Sequence, residues 1–250
     1  MNRRSFRNVR WGVDALEPNL VLARHRHREG YANVILSGSF VEASFAGRFR
    51  VSPGDVLLHG GFDCHSNCDA GPRGLRILRL PWRPYAVEGR FRVNDPDMLA
   101  RLSERDPIEA SEELERSLQP GAPGEDDWPA VLAEDLSLDP SLQLADWADA
   151  RGLARETISR GFSRTFGVNP RRFRLEARTR QAWKAIVSTS SPLTEIAHAH
   201  AFADLAHMTR SIGALTGHAP SAWRAKSTAA ASPTTRQARF ARTPQSGLRV

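Results

Sequence analysis

The chain has 250 residues, of which 40% are hydrophobic and 25% charged, and its formal net charge is +7. This length suits one large domain or two small ones, and the composition is ordinary for a soluble globular protein. No apolar run approaches the 18 or so residues of a membrane span, no apolar stretch follows the basic N-terminus, and two cysteines are too few for a disulfide framework, so we expect a cytoplasmic protein with no membrane partner.

Charge is divided unevenly along the chain. Residues 141–250 contain 17 Lys and Arg against 6 Asp and Glu, a net of +11, whereas residues 1–140 contain 18 against 22, a net of −4. A basic half behind a mildly acidic half indicates a nucleic-acid-binding domain attached to something else. An Arg-rich proteome is the alternative explanation of the charge alone.

Residues 9–93 contain short apolar or β-branched runs separated by breaks rich in Gly, Pro, Ser and Asn. Regular short strands with such turns predict a small barrel or sandwich. The predicted strands are Leu20–Arg24, Tyr31–Leu36, Phe40–Phe45, Phe49–Val51, Val56–His59 and Leu75–Leu80.

Three histidines in this segment form a candidate ligand or metal site. His25 and His27 are two apart on a predicted strand, so their side chains share a face, and His65 can join them from another strand. Three imidazoles suit zinc, iron or another transition metal. Glu29 has the same parity as the first two histidines and is the nearest acid, and His59 is also nearby.

The same residues resemble the motifs of a cupin barrel over about residues 18–82. The motifs are His25-Arg-His27, Gly38, Pro53-Gly54-Asp55 and His65. The resemblance implies a cupin-like, effector-sensing barrel in residues 1–93 that requires no cofactor. Three roles remain open for these residues: a site for a divalent transition metal at His25, His27 and His65, a metal-free pocket, or a purely structural role. The predicted effector pocket is His25, His27, Glu29, His59 and His65.

Residues 94–127 are predicted to form a helical connector and linker. Helices are expected over Asp95–Arg105 and Pro107–Leu118, because Asp95 and Asp106 are N-cap residues placed before prolines. The Pro, Gly and acidic residues of Gln119–Asp127 indicate a linker, and a further helix is expected over Asp127–Leu138.

The C-terminal part repeats one helical pattern. The copies run Leu142–Phe166 and Leu193–Leu215, and each is followed by a Gly-x-x-Pro sequence, Gly167–Pro170 and Gly217–Pro220. Each copy is typical of a short helix, a break and a second helix with Arg on its outer face. That module places a recognition helix in the DNA major groove, so two copies in a basic region predict a sequence-specific DNA binder. For a single helix, outward Arg residues are more simply a solvated face.

Two stretches resemble the AraC/XylS family of bacterial transcription regulators, Gly152–Phe162 and Phe202–Arg224. The similarity spans about residues 128–226 and implies two helix-turn-helix modules joined by one linker helix. The implied protein is α+β with two domains, an N-terminal cupin-like β-barrel and a C-terminal all-α tandem helix-turn-helix domain. Residues 227–250 lack an apolar period and are predicted to be disordered.

Outward residues of the two predicted recognition helices are the candidate DNA contacts, because Arg matches guanine and Ser or Thr suits base edges and phosphates. The resemblance implies base contacts by Glu156, Ser159, Arg160, Leu205, Ala206, Thr209 and Arg210. The whole candidate set is Arg155, Glu156, Thr157, Ser159, Arg160, Arg164, Arg171, Arg172, Asp204, Leu205, Ala206, Thr209 and Arg210.

The chain departs from the family pattern in its second module. Ala201 stands where the family usually has Gly, and Leu205 stands where Gln is common. Leu cannot hydrogen-bond adenine, so the second module is expected to read a thymine methyl group or to contribute mainly backbone contacts.

The predicted function is a transcription activator or repressor, not an enzyme, whose DNA binding is modulated by a small effector in the barrel. Its predicted partners are double-stranded operator or promoter DNA and the effector, with RNA polymerase and a second copy of the chain as further candidates. The rival is a cupin-type metal-dependent enzyme with a helical appendage. A DNA-repair methyltransferase of similar helical fold would need a reactive cysteine, which residues 128–226 lack.

Overall fold

The computed structural model describes residues 10–72, 74–83 and 87–231, and it describes residues 228–231 by their backbone only. The chain divides into two compact units, and the division falls after Gln181. The first unit contains two antiparallel sheets, followed by helices, and the second is helical. The predicted fold class, an N-terminal β-rich part and a C-terminal helical part, is confirmed.

The two sheets are built from short strands. The six-stranded sheet has the order β1-β8-β3-β6-β9-β10, and the four-stranded sheet has the order β2-β7-β4-β5. The strands are β1 Gly12–Leu16, β2 Leu22–Arg26, β3 Tyr31–Ser37, β4 Phe40–Ser44, β5 Gly47–Val51, β6 Asp55–His59, β7 Cys64–Cys68, β8 Leu75–Pro81, β9 Gly89–Arg92 and β10 Gln119–Pro120.

Apolar side chains from both sheets pack against each other between the sheets. Ile35, Leu57 and Ile77 come from the six-stranded sheet, and Phe40 and Val51 come from the four-stranded one. All five are buried, which removes their apolar surface from water and stabilises the pairing of the sheets.

Four of these strands, β1, β7, β9 and β10, were not predicted. β7 reads Cys-His-Ser-Asn-Cys and lacks the β-branched and aromatic residues that usually mark a strand. Its His65 and Asn67 line a cavity, so this strand is polar because of what it faces.

Helices α1 (Pro96–Ser103) and α2 (Pro107–Ser117) cover the outer face of the six-stranded sheet. Leu99 and Leu114 pack there against Val34 and other sheet residues. The predicted caps are confirmed, since the side chains of Asp95 and Asp106 accept hydrogen bonds from backbone N–H groups of the helices that follow them.

The predicted linker Gln119–Asp127 is attached to the sheets at both ends. Gln119 and Pro120 form β10 beside β9, and Asp127 pairs with Arg48 of β5 while capping α3 (Trp128–Leu138). Helix α3 then buries Leu132 and Leu136 against the helices that follow.

The remaining helices are α4 (Leu144–Asp149), α5 (Arg155–Phe166), α6 (Pro170–Ser188), α7 (Leu193–Ala199), α8 (Leu205–Thr216) and α9 (Pro220–Ala231). Among the described residues, none of the helices is long and apolar enough to span a membrane. Helix α9 continues past Ser227, so the predicted disordered tail does not start there, because the alanines that follow Thr228 are strong helix formers. The rest of the predicted tail, 232–250, lies outside the described residues.

Candidate DNA-binding helices and effector cavity

Helices α4 and α5 form the first helix-turn-helix module. The turn between them has Gly152 in the left-handed region, at φ 62°. Two backbone hydrogen bonds close it, from Gly152 N–H to the Asp149 carbonyl (3.2 Å) and from Leu153 N–H to the Ala148 carbonyl (3.0 Å). A glycine adopts this conformation without steric cost.

Helices α7 and α8 form the second module with the same turn. Ala201 N–H donates to the His198 carbonyl (3.0 Å), and Phe202 N–H donates to the Ala197 carbonyl (2.9 Å). Ala201 takes the place of the glycine and has φ 54°. The turn therefore holds an L-residue in the left-handed region, which costs about 1–2 kcal/mol relative to ordinary helical geometry.

Ala201→Gly should therefore stabilise the second compact unit. We expect the free energy of unfolding to rise by about 0.5–1 kcal/mol, the relief of backbone strain less the greater flexibility of glycine in the unfolded chain. Denaturant titration of the full chain measures the change. Ala222→Gly in α9 is the control and should lower stability by about 1 kcal/mol; equal losses in both variants would contradict the role of strain at Ala201.

Most of the predicted DNA contacts are available to a ligand. The exposed ones are Arg155, Glu156, Thr157, Ser159, Arg160, Arg164, Arg171, Asp204, Leu205, Ala206 and Arg210, and Thr209 is half-buried. Ile158 and Phe162 of α5, and Met208 and Ile212 of α8, face inward and are buried. Each recognition helix thus has one packed face and one exposed face, which is mostly polar in α5 and carries Leu205 and Ala206 beside Arg210 in α8.

Two predicted contacts also have local structural roles. The Arg172 side chain is half-buried and pairs with Glu176 one turn later on α6 (Nε to Oε1, 2.6 Å). Asp204 caps α8 by accepting a hydrogen bond from His207 N–H (2.6 Å). Substituting either residue would therefore disturb a helix as well as any DNA contact.

A cavity of about 400 Å³ lies between the two sheets. Its lining combines imidazole, phenol and amide groups on and beside β2, β3 and β7, the charged side chains of Asp14 in β1 and Arg79 in β8, and apolar side chains from β1, β2, β4 and β8. The lining residues are Arg10, Asp14, Leu16, Leu20, Leu22, His25, His27, Tyr31, Asn33, Phe40, His65, Asn67, Ala70, Leu75, Ile77 and Arg79.

The structure brings His25, His27 and His65 together in this cavity. Their possible ligand atoms all lie within 4.8 Å of one another, and all three residues are buried. Nδ1 of His25 donates to the Ala23 carbonyl (2.9 Å), and the Tyr31 hydroxyl lies 3.1 Å from Nε2 of His65. The shared face of the first two histidines exists despite a register irregularity between Leu22 and His25.

The other two predicted pocket residues lie elsewhere. Glu29 is exposed and does not line the cavity, because β2 ends at Arg26 and the alternation of faces does not continue to residue 29. The prediction was wrong for this residue. His59 is buried behind the lining, with its ring 4.4 Å from the ring of Tyr31 and 4.7 Å from that of His65, measured between centroids.

A buried carboxylate that the sequence analysis missed lies behind the histidines. Asp63 accepts a hydrogen bond from Nδ1 of His59 (2.8 Å) and lies 3.8 Å from Nδ1 of His65. Burial acts to raise the pKa of Asp63, but the hydrogen bond from His59 and the charge of Arg180 outweigh it and hold the pKa well below its usual range. Burial, with the neighbouring His59, also holds the pKa of His65 well below its usual range.

Arg180 of α6 reaches this group from the helical side of the same compact unit. Its Nε donates to the Gly61 carbonyl (3.0 Å), and its two terminal nitrogens bond Glu88 at 2.8 and 2.5 Å. A second arginine, Arg24 of β2, pairs with Glu176 of α6 (3.3 Å). The helix that follows the first recognition helix is therefore bonded to the segment that carries Asp63 and to the strand that carries His25.

Glu42 gives this part of the protein a predicted pH dependence. Burial raises its pKa to about 7 against the opposing charge of His59, whose Nε2 lies 3.6 Å away. The folded state therefore holds a proton that the unfolded chain releases above pH 4.5, so stability present at low pH is lost as pH rises through about 7.

We expect the stability of the wild type, relative to Glu42→Gln, to fall between pH 5 and 8. A pKa change of this size corresponds to about 3 kcal/mol. Urea titrations of both proteins at several pH values test it, and taking their difference removes the titration of groups that lie far from Glu42; His59, which is coupled to Glu42, titrates differently in the two proteins. Parallel stability curves would contradict it.

Comparison with models of known protein families agrees with this pattern of two helix pairs, each with one packed and one exposed face. Residues 147–226 match a family model described as a helix-turn-helix domain. This segment is a helix-turn-helix domain of the AraC type. Such a domain is a DNA-binding module of transcription regulators, so the prediction from the two resembling stretches is confirmed.

Solved structures show more distant likenesses, and no curated protein matches the chain. The chain is similar to ToxT from Vibrio cholerae O395, with 12% identity over 87% of this chain and 97% of that one (TM-score 0.39). A structure of wild-type ToxT from Vibrio cholerae strain SCE256 with a bound unsaturated fatty acid has 12% identity over 85% and 93% (TM-score 0.38). A transcriptional regulator from Chromobacterium violaceum, with an AraC-type DNA-binding domain, has 26% identity over 37% and 80% (TM-score 0.33).

Proposed function

We propose that this protein is a transcription regulator whose AraC-type domain binds operator DNA and whose DNA binding is set by a small effector in the cavity between the sheets. The observation that carries the proposal is the AraC-type domain at residues 147–226, with an exposed arginine on each recognition helix, Arg160 and Arg210. The cavity is the natural effector site, because it is concave, largely apolar and provided with a few convergent polar groups.

The contacts of Arg180 support a route from the cavity to the DNA-binding part. His65 lines the cavity, Asp63 lies 3.8 Å behind it, and the charge of Arg180 acts on Asp63. An effector that displaces His65 changes the surroundings of Asp63. Because the charge of Arg180 acts on Asp63, this change alters the position of Arg180 and of α6, to which it belongs. Such coupling requires that the effector prefers one arrangement of these groups over the other.

In this proposal residues 1–93 sense the effector, 94–127 connect, and 128–226 bind DNA. Glu156, Ser159, Arg160, Leu205, Ala206, Thr209 and Arg210 contact bases, while Arg155, Thr157, Arg164, Arg171, Arg172 and Asp204 contact phosphates or position the helices. RNA polymerase and a second copy of the chain are the further partners, and the cytoplasm is the compartment.

Selection of bound sequences from a random duplex library tests the DNA-binding proposal. Full-length protein at controlled ionic strength should recover an asymmetric site with two short blocks about one helical turn apart. Binding that depends on salt but is indifferent to sequence would contradict it.

The same cavity is a candidate metal centre. His25 fits the role, because metal-ligating histidines commonly donate their second ring N–H to a backbone carbonyl, as Nδ1 of His25 does to Ala23. We therefore propose that His25, His27 and His65 hold a divalent transition metal, which would give an acidic effector a positive anchor.

Metal analysis of the full chain tests this second proposal. After dialysis against Zn²⁺ and then buffer, the wild type should retain about one Zn²⁺ per chain, because three histidines suit a tetrahedral zinc site. His27→Ala should retain none. The exposed His198 offers the matched control, and His198→Ala should behave as the wild type. Equal metal content in all three proteins would overturn the assignment.

A further inference from the structure

The cavity between the sheets is layered along β3. Tyr31 and Asn33 both line it, and they are two residues apart on the same strand. Successive residues of a strand advance about 3.3 Å, so the two side chains start about 7 Å apart along the cavity. Each level carries a different chemistry, and the order of the levels restricts the shape of the effector.

The first level carries imidazoles and a phenol. His25, His27 and His65 converge there, and the Tyr31 hydroxyl is bonded to His65. Ring N–H groups donate hydrogen bonds to oxygen, and imidazoles that hold a metal also attract oxygen anions. A carboxylate suits this level in both cases.

The second level carries an acceptor that has no partner. Asn33 is 5% exposed, and its Oδ1 has no hydrogen bond within the described residues. Across the ladder it faces Arg79, whose guanidinium is paired with Asp14 at 2.5 Å. A buried acceptor without a donor is costly, so this level favours a ligand that brings a hydroxyl or an amide N–H.

The third level is apolar. Ile77 lies two residues beyond Arg79 on β8, and Leu75 lies two further. Phe40 and Ala70 join them from the other side of the cavity lining. Burying methylene groups of a ligand here is favourable, because it removes their apolar surface from water.

Charge and volume complete the description of the effector. The charged lining residues outside the imidazole level are Arg10 and Arg79 against Asp14, an excess of one positive charge, which favours an anion over a cation. A volume of about 400 Å³ equals that of about a dozen liquid water molecules, so the effector has about a dozen non-hydrogen atoms.

We propose that the cavity binds a small amphipathic monoacid, with its carboxylate at the imidazole level, a hydroxyl or amide N–H at Asn33 and an apolar tail against Ile77 and Leu75. The proposal rests on the proposed function only in naming this ligand the effector. Its binding is measured without DNA, so failure here and failure of the DNA-selection experiment are distinguishable.

Calorimetric titration of the full-length protein tests the size and charge of the ligand. The probes are butanoate, decanoate, hexadecanoate and decylamine, each with and without a chelator. Decanoate should bind at least about a hundredfold more tightly than butanoate, because its extra methylenes are buried, and at least about tenfold more tightly than decylamine. Equal binding of the acid and the amine, or tightest binding of hexadecanoate, would overturn the proposal.

A hydroxylated probe tests the second level. We expect 5-hydroxydecanoate to bind about fivefold more tightly than decanoate, the value of one hydrogen bond, and Asn33→Ala to remove this difference. Asn67→Ala is the matched control, because Asn67 also lines the cavity but donates to Glu42 (3.2 Å), and it should keep the difference. A hydroxyl gain that survives Asn33→Ala would overturn the assignment of this level.

The apolar level has an independent test that leaves Asn33 intact. Ala70→Leu fills space at this end of the cavity, so the tightest-binding acid should change from decanoate to a shorter one such as octanoate. An unchanged preference, in a variant that melts as the wild type does, would overturn the placement of the tail.

Discussion

Arg180→Met should lower the free energy of unfolding by about 3–5 kcal/mol. Arg180 is 4% exposed and bonds Glu88 through both terminal nitrogens and Gly61 through Nε. Its charge also acts on buried Asp63. Removing the guanidinium leaves two carboxylates without their cation, and the loss of a partner from a buried ion pair is far more costly than the pair is stabilising.

Denaturant unfolding of the full chain measures this loss. The exposed Arg171 on the same helix is the matched control, and Arg171→Met should change stability by less than about 0.5 kcal/mol. In Arg180→Met/Glu88→Met the second substitution also removes the carboxylate that Arg180 bonded, so part of the stability should return. If Arg180→Met lowered the free energy of unfolding by less than about 1 kcal/mol, water would already screen the charge of Arg180, and the prediction would be wrong.

The second large effect concerns DNA sequence discrimination. Arg160→Ala should reduce the preference for the selected operator over a mismatched one by about 10- to 100-fold, because a bidentate Arg contact to guanine is worth about 1–3 kcal/mol. Leu205→Ala should reduce it much less, since Leu205 is 36% exposed and has no hydrogen-bonding group.

Competition binding at fixed ionic strength measures both ratios. Arg164→Ala provides the comparison, because a phosphate contact should weaken binding to all sequences alike. Repeating its titration at several salt concentrations should show that the dependence of log K on log salt is lower by about one. A larger loss of discrimination in Leu205→Ala than in Arg160→Ala would reverse the roles given to the two recognition helices.

Features set by neighbouring residues were predictable without the structure. Asp95 and Asp106 each cap the helix that follows, because a short acidic side chain before Pro at the helix start satisfies free backbone N–H groups. The two copies of the helical pattern were likewise readable, since buried positions in α5 and α8 recur at helical spacing.

The cavity was only partly predictable. The shared face of His25 and His27 follows from strand geometry, and the structure brings His65 to them. The prediction that Glu29 shares the face of His25 and His27, made by counting alternate residues, failed because no local signal in the sequence showed that β2 ends at Arg26. β7 was missed because its polar residues face a cavity. A strand with polar residues on its inner face has the composition of a loop, so the sequence does not distinguish the two.

By itself, the sequence determined the fold class, the helix starts and the duplicated DNA-binding module, because each depends on residues within a few positions of one another. Only the tertiary structure decided that Asp63 lies behind His65 and that the charge of Arg180, from a helix more than a hundred positions later, acts on Asp63. The physical reason is that pairing of buried charges depends on which distant strands and helices are packed together, and hydrophobic burial, which drives that packing, is not directional.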